Sequence, residues 1–84
     1  MSLNKDNKGN DFIEVNNIRI TYVRNENRCS EKAWSGSDVL RIQAKVSGEN
    51  DRLHKGAELP VDSPQSILHL MEGILSLYNH TSST

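Results

Sequence analysis

Gly56-Ala57-Glu58-Leu59-Pro60-Val61-Asp62-Ser63-Pro64 is the stretch that decides the fold. Gly56 to Val61 reads as a strand, with Ala57, Leu59 and Val61 on one side. Pro60 cannot donate to a sheet ladder and marks an edge or a strand end. Ser63 is a good N-cap and Pro64 suits the first helical position, where its missing N–H costs nothing. A strand that opens directly into a helix requires a sheet for that helix to cover.

Downstream of Pro64 the apolar residues are Ile67, Leu68, Leu70, Met71, Ile74, Leu75, Leu77 and Tyr78. At about 100° per residue they fill one half of a helix surface. His69, Glu72, Gly73, Ser76 and Asn79 fill the other. So wide an apolar face suits a helix lying flat on a sheet better than a coiled-coil seam. Residues 79–84 are polar, and 81–84 are expected to fray.

Upstream, Phe12-Ile13-Glu14-Val15 and Ile18-Arg19-Ile20-Thr21-Tyr22-Val23 flank Asn16-Asn17, a pair suited to a tight hairpin turn. One long strand with a bulge at the asparagines is the alternative. Residues 39–46 alternate: Leu40, Ile42, Ala44 and Val46 inward, Val39, Arg41, Gln43 and Lys45 outward. Residues 47–51 are turn-like and 53–61 return as a strand. The polar connection 24–37, which carries Trp34, has a length typical of functional or mobile loops. Residues 1–10 read as a disordered arm. The expectation is an α+β domain over 11–80: a four-stranded antiparallel sheet followed by one C-terminal helix, β-β-β-β-α, with the helix on the sheet's inner face.

The chain has 84 residues, so a single domain with a modest core is expected. Cys29 is alone, which excludes an internal disulfide, and no cysteine–histidine cluster suggests zinc. Self-association is the remaining route to more burial, so a homodimer is expected. No membrane-length apolar run or signal peptide is visible, and the chain reads as cytoplasmic. The net charge of −1 does not announce a nucleic-acid binder; any basic surface has to be local.

One such surface is legible. The outward positions of two strands hold Arg19, Thr21, Arg41, Gln43 and Lys45, with no acidic residue between the cations and with Lys55 and Arg24 at the margins. It fits a basic face that follows phosphates, with Tyr22 or Trp34 as a stacking platform. Taken by themselves the residues fit better the solvated face that antiparallel sheets often carry.

Val39-Leu40-Arg41-Ile42-Gln43, then Lys55-Gly56-Ala57-Glu58-Leu59 and a capped helix, resembles the transcriptional positive cofactor four family of small single-stranded-DNA-binding domains. The resemblance spans residues 18–78. It implies a dimer whose curved sheets bind single strands, with Lys55 and the cations of the 39–46 strand on phosphates. The family usually has an aromatic residue near the end of that strand; here the stretch is Ala44-Lys45-Val46.

Other chemistry is sparse. Cys29 has Arg28 and Lys32 nearby but no histidine partner, and reads as a plain surface thiol. His54, His69 and His80 lack metal-ligand spacing and read as exposed. No phosphate loop, nucleophile elbow or catalytic carboxylate pair is present. An enzyme, a cofactor, a metal and a small-molecule substrate are therefore not expected. The expected function is a nucleic-acid-binding module for single-stranded DNA, acting in transcription, replication or mobile-element biology. The rival is a non-catalytic protein-interaction or regulatory module of the same fold, docking around Trp34.

Overall fold

The computed structural model describes residues 2–28, 34, 36–48 and 52–82. The readings of Cys29 and of residues 49–51 in the 47–51 turn lie outside them. The described chain is an antiparallel sheet and one C-terminal helix: β1 (Asn4–Lys5), β2 (Asp11–Val15), β3 (Ile18–Val23), β4 (Asp38–Ala44), β5 (Ala57–Val61) and α1 (Pro64–Ser82), with a 3₁₀ turn at Asn25–Asn27. Each strand pairs with its neighbour in sequence, in the order β1-β2-β3-β4-β5.

The sheet has five strands, one more than the sequence suggested. The extra strand comes from the segment read as a disordered arm, where Asn4 pairs with Phe12 and Lys5 with Asp11. The 6–10 turn that follows is held by side-chain hydrogen bonds that composition alone does not reveal. At the other end α1 runs to Ser82, past the point where fraying was expected. Asn16-Asn17 makes the tight hairpin, with Val15 opposite Ile18 and Asn16 at φ 56°, a left-handed conformation asparagine tolerates. The β4 pairing continues beyond Ala44 as a bridge from Lys45 to Leu53.

Register sorts the side chains onto two faces. One carries Ile13, Ile20, Tyr22, Leu40, Ile42, Ala57 and Leu59. The other carries Phe12, Glu14, Arg19, Thr21, Val23, Val39, Arg41, Gln43 and Glu58. This alternation matches the sequence pattern. Burial does not follow it.

The helix does not lie across the apolar face. It leans on the end of the sheet through its first two turns, with Ile67 and Leu70 against Leu40, Leu59 and Val61. The connection 62–63 leaves α1 at the β5 edge, so later turns run past the sheet. Leu68, Met71, Ile74, Leu75, Leu77 and Tyr78 are each 54–67% exposed, and Ile18 and Leu59 on the sheet are exposed less strongly. No α1 residue is buried.

Among the described residues, only Val23, Val39, Leu40 and Val61 are buried hydrophobics. They form two small patches at one end of the sheet. Leu40 and Val61 sit under the helix start. Val23 and Val39 sit on the opposite face, which the sequence assigned to solvent. That face is covered at this end by Asn10, which is 2% exposed, and by Arg28, whose side chain is equally buried.

The sheet end is tied by a polar clasp. The Tyr22 hydroxyl donates to Asp38 Oδ2 at 2.6 Å, and the Asn25 N–H donates to Asp38 Oδ1 at 2.7 Å. These bonds, the tyrosine's first, hold the Asp38 carboxyl below its usual range, and the same bond raises the tyrosine pKa. A depressed folded pKa stabilises above the unfolded value, near 3.9, and that contribution is lost as pH falls through the folded value. Tyr22→Phe is expected to lower stability by about 1 kcal/mol at neutral pH. It should also flatten the acid side of the stability–pH curve below about pH 4, measured by urea unfolding. A curve that keeps the wild-type acid slope would place the titration elsewhere.

Candidate nucleic-acid interface

Gly56 lets β5 approach β4 closely. A Cβ at this position would fall against the Ile42 carbonyl oxygen and 2.8 Å from Gln43 Cγ. Beside Gly56 lies an open groove of about 550 Å³ on the polar face, walled by Trp34, Arg41, Gln43, Lys55, Glu58 and Lys8. Four of the eight residues expected to form the site therefore meet in one hollow: Trp34, Arg41, Gln43 and Lys55.

Trp34 is 48% exposed at the groove wall. Its backbone is left-handed, with φ 64°, a rare conformation for a bulky residue. Two donors converge on its carbonyl oxygen: Arg28 Nη1 at 3.0 Å and the Ser37 N–H at 3.1 Å. Arg28 itself is anchored by Glu58 at 3.2 Å, so β5 helps to set where the indole stands. Gln43 donates its amide to the His54 carbonyl at 3.2 Å and thereby braces the backbone beside Lys55.

Arg41 pairs with Glu58 at 2.8 Å. Burial pushes the Glu58 carboxyl up, but the Arg41 hydrogen bond and the charges of Arg41 and Arg28 outweigh it and leave the group below its usual range. Glu58 thus stays ionised at neutral pH and offsets part of the groove's positive charge. Lys55 is exposed and pairs with no described carboxylate.

The other expected residues are placed differently. Thr21 is only 3% exposed and offers little to a ligand. Arg19 lies over the Phe12 ring, 4.2 Å from its centroid, and pairs with Glu14 at 3.1 Å. Lys45 reaches the same carboxylate at 3.0 Å. The Lys45 hydrogen bond is the main reason the Glu14 carboxyl lies below its usual range. Tyr22 projects from the opposite, apolar face into the clasp with Asp38, so it cannot stack on a ligand in the groove.

The face is therefore mixed in charge. The cations on β3 and β4 have no acid between them on those strands, but β2 and β5 supply Glu14 and Glu58 alongside. The hairpin register carried the first signal: a two-residue turn at 16–17 sets Glu14 opposite Arg19. Phe12, opposite Thr21, is legible the same way. Glu58 is legible by parity too, since Ala57 and Leu59 beside it point the other way; no comparable signal announced Arg28 or Lys8, which are brought in by longer connections.

His54, His69 and His80 are exposed, and no group of three metal-ligating side chains forms among the described residues. No helix among them is long and apolar enough to cross a membrane. No family profile, curated protein or solved structure matches the chain.

Proposed function

We propose that this protein is a small nucleic-acid-binding module that prefers single strands, acting as a homodimer in transcription, replication or mobile-element biology. The observation that carries the reading is the groove in which a half-exposed Trp34 stands beside Arg41 and Lys55. An aromatic platform next to cations is the pairing single strands need: the indole accepts an unstacked base and the cations take adjacent phosphates. Duplex bases are already stacked and offer Trp34 no free face. Arg19 and Lys45, at the margin and held by Glu14, add to the field around the groove more than to direct contact. The resemblance to the positive cofactor four family points the same way.

A labelled single-stranded 20-mer is expected to bind at low salt with micromolar protein, followed by anisotropy, and to release as salt rises. Trp34→Ala should weaken binding about tenfold, as loss of one base–aromatic stack would. Combined with Lys55→Glu it should bring binding near background, with the circular dichroism spectrum unchanged. Absence of single-strand binding by the wild-type protein at low salt would overturn the reading.

A second reading, a protein-interaction module, is favoured by the apolar side chains exposed along α1. A second copy of the chain is the occupant that also supplies the burial this small core lacks. If the helix instead takes a different protein, the chain alone should run as a monomer.

A further inference from the structure

The 6–10 segment is built rather than loose. Asp6 Oδ1 accepts the backbone N–H groups of Lys8 and Asn10, each at 2.9 Å, and Oδ2 accepts the Asn10 side-chain amide at 3.2 Å. The Asp6 N–H returns to the Asn10 carbonyl at 2.9 Å, and Gly9 supplies the left-handed turn with φ 84°. Asn10 then fastens the segment to the sheet: its Oδ1 accepts the Arg24 N–H at 3.2 Å and the Asn27 amide at 2.9 Å. The result is a short rigid overhang with Lys8 at its tip.

Lys8 borders two hollows. One is the groove with Trp34 and Lys55; the other, of about 240 Å³, is lined also by Asp6, whose carboxylate is engaged by the segment's own N–H groups, and by Asn7, Asn10, Val23 and Asn27. Arg41 borders both as well. The two hollows thus share Lys8 and Arg41 as lining residues. Lys8 is exposed and pairs with no described carboxylate, whereas Lys5, on the other side of β1, is engaged by Asp11 at 2.7 Å.

We infer that the 6–10 overhang completes the ligand site, and that Lys8 contacts a backbone phosphate of a strand running through both hollows. The inference rests on the nucleic-acid reading of the groove and deepens it. The ligand it implies is a short single-stranded run with nucleotides on both sides of Arg41, not a mononucleotide. A strand that follows both hollows meets Lys8 and Arg41 in each, with Trp34 and Lys55 beside it in the larger.

The test uses the full chain and labelled thymidine oligonucleotides of one to eight residues. Affinity is expected to be negligible for the mononucleotide and to rise steeply over the first few residues. Lys8→Ala should weaken an eight-residue strand five- to tenfold and make its salt dependence shallower by about 0.7 in log–log slope, the change for one lost phosphate contact. Lys8→Arg should retain binding. Lys5→Ala removes the same charge from the same segment but from the other face, and should leave binding unchanged. Equal losses in Lys8→Ala and Lys5→Ala would reduce the effect to net charge and overturn the inference. So would wild-type affinity in Lys8→Ala while Lys55→Glu loses binding, an outcome that leaves the groove reading standing. No binding by the wild-type protein to any strand would overturn both.

Discussion

Gly56→Ala is expected to destabilise the protein by about 3 kcal/mol, a large loss for a single methyl group. The added Cβ, whose place is fixed by the backbone, would meet the Ile42 carbonyl oxygen. No rotamer change relieves such a contact, so β5 has to retreat from β4. That retreat would strain the Arg41–Glu58 pair across the same two strands and the Gln43 bond that braces His54. Urea unfolding at fixed protein concentration measures the loss. Gly73→Ala is the matched control. No atom lies within 4 Å of a Cβ at Gly73, and in the helix interior alanine is favoured by up to about 1 kcal/mol. The two substitutions should therefore move stability in opposite directions. A Gly56→Ala protein with wild-type stability would mean that the strands do not approach this closely.

Ile74→Arg with Tyr78→Arg is expected to convert the protein from dimer to monomer. Both positions lie on α1 beyond the turns that touch the sheet, and both side chains are more than half exposed. If a second copy covers them, two charges placed in that interface should cost about 4 kcal/mol together, roughly a thousandfold in the dimer constant. Light scattering should give twice 9.5 kDa for the wild type and close to 9.5 kDa for the double variant at micromolar concentration. The wild-type melting temperature should also rise with protein concentration, and the variant's should not. A monomeric wild type would remove self-association from the proposal. It would leave the helix face to another protein.

Local structure was largely legible in the sequence. The period-2 runs placed β3 and most of β4, Asn16-Asn17 placed the hairpin, and Ser63-Pro64 placed the helix start. Ser63 acts there mainly through its carbonyl, which accepts the Ser66 N–H at 2.9 Å. What could not be read was which face each element buries. Amphipathicity says that α1 needs an apolar partner, but not that its own sheet provides it. Val39 and Thr21 looked outward by alternation and are nevertheless buried, on the face where side-chain bonds of Asn10 and Arg28 tie together segments far apart in sequence. The site followed the same division. Arg41, Gln43 and Lys55 were found from strand parity and from the Lys55-Gly56 opening. Parity also puts Glu58 on that face, but the Arg28 contact to it and the Lys8 overhang depend on how distant segments dock, which parity alone does not specify.

The neighbour-by-neighbour strand order has a kinetic consequence. Every ladder in this sheet closes between segments adjacent in the chain, so little sequence separation has to be bridged before contacts form. Folding is fast for topologies of that type. Two of the closures are unequal. The β2–β3 turn spans two residues, while the β3–β4 connection spans fourteen, from Arg24 to Ser37. The entropy of closing a loop grows with its length. The β2–β3 hairpin is thus the natural nucleus. The fourteen-residue connection that presents Trp34, with the twelve-residue one between β4 and β5, would then set the pace at which the rest of the sheet is added.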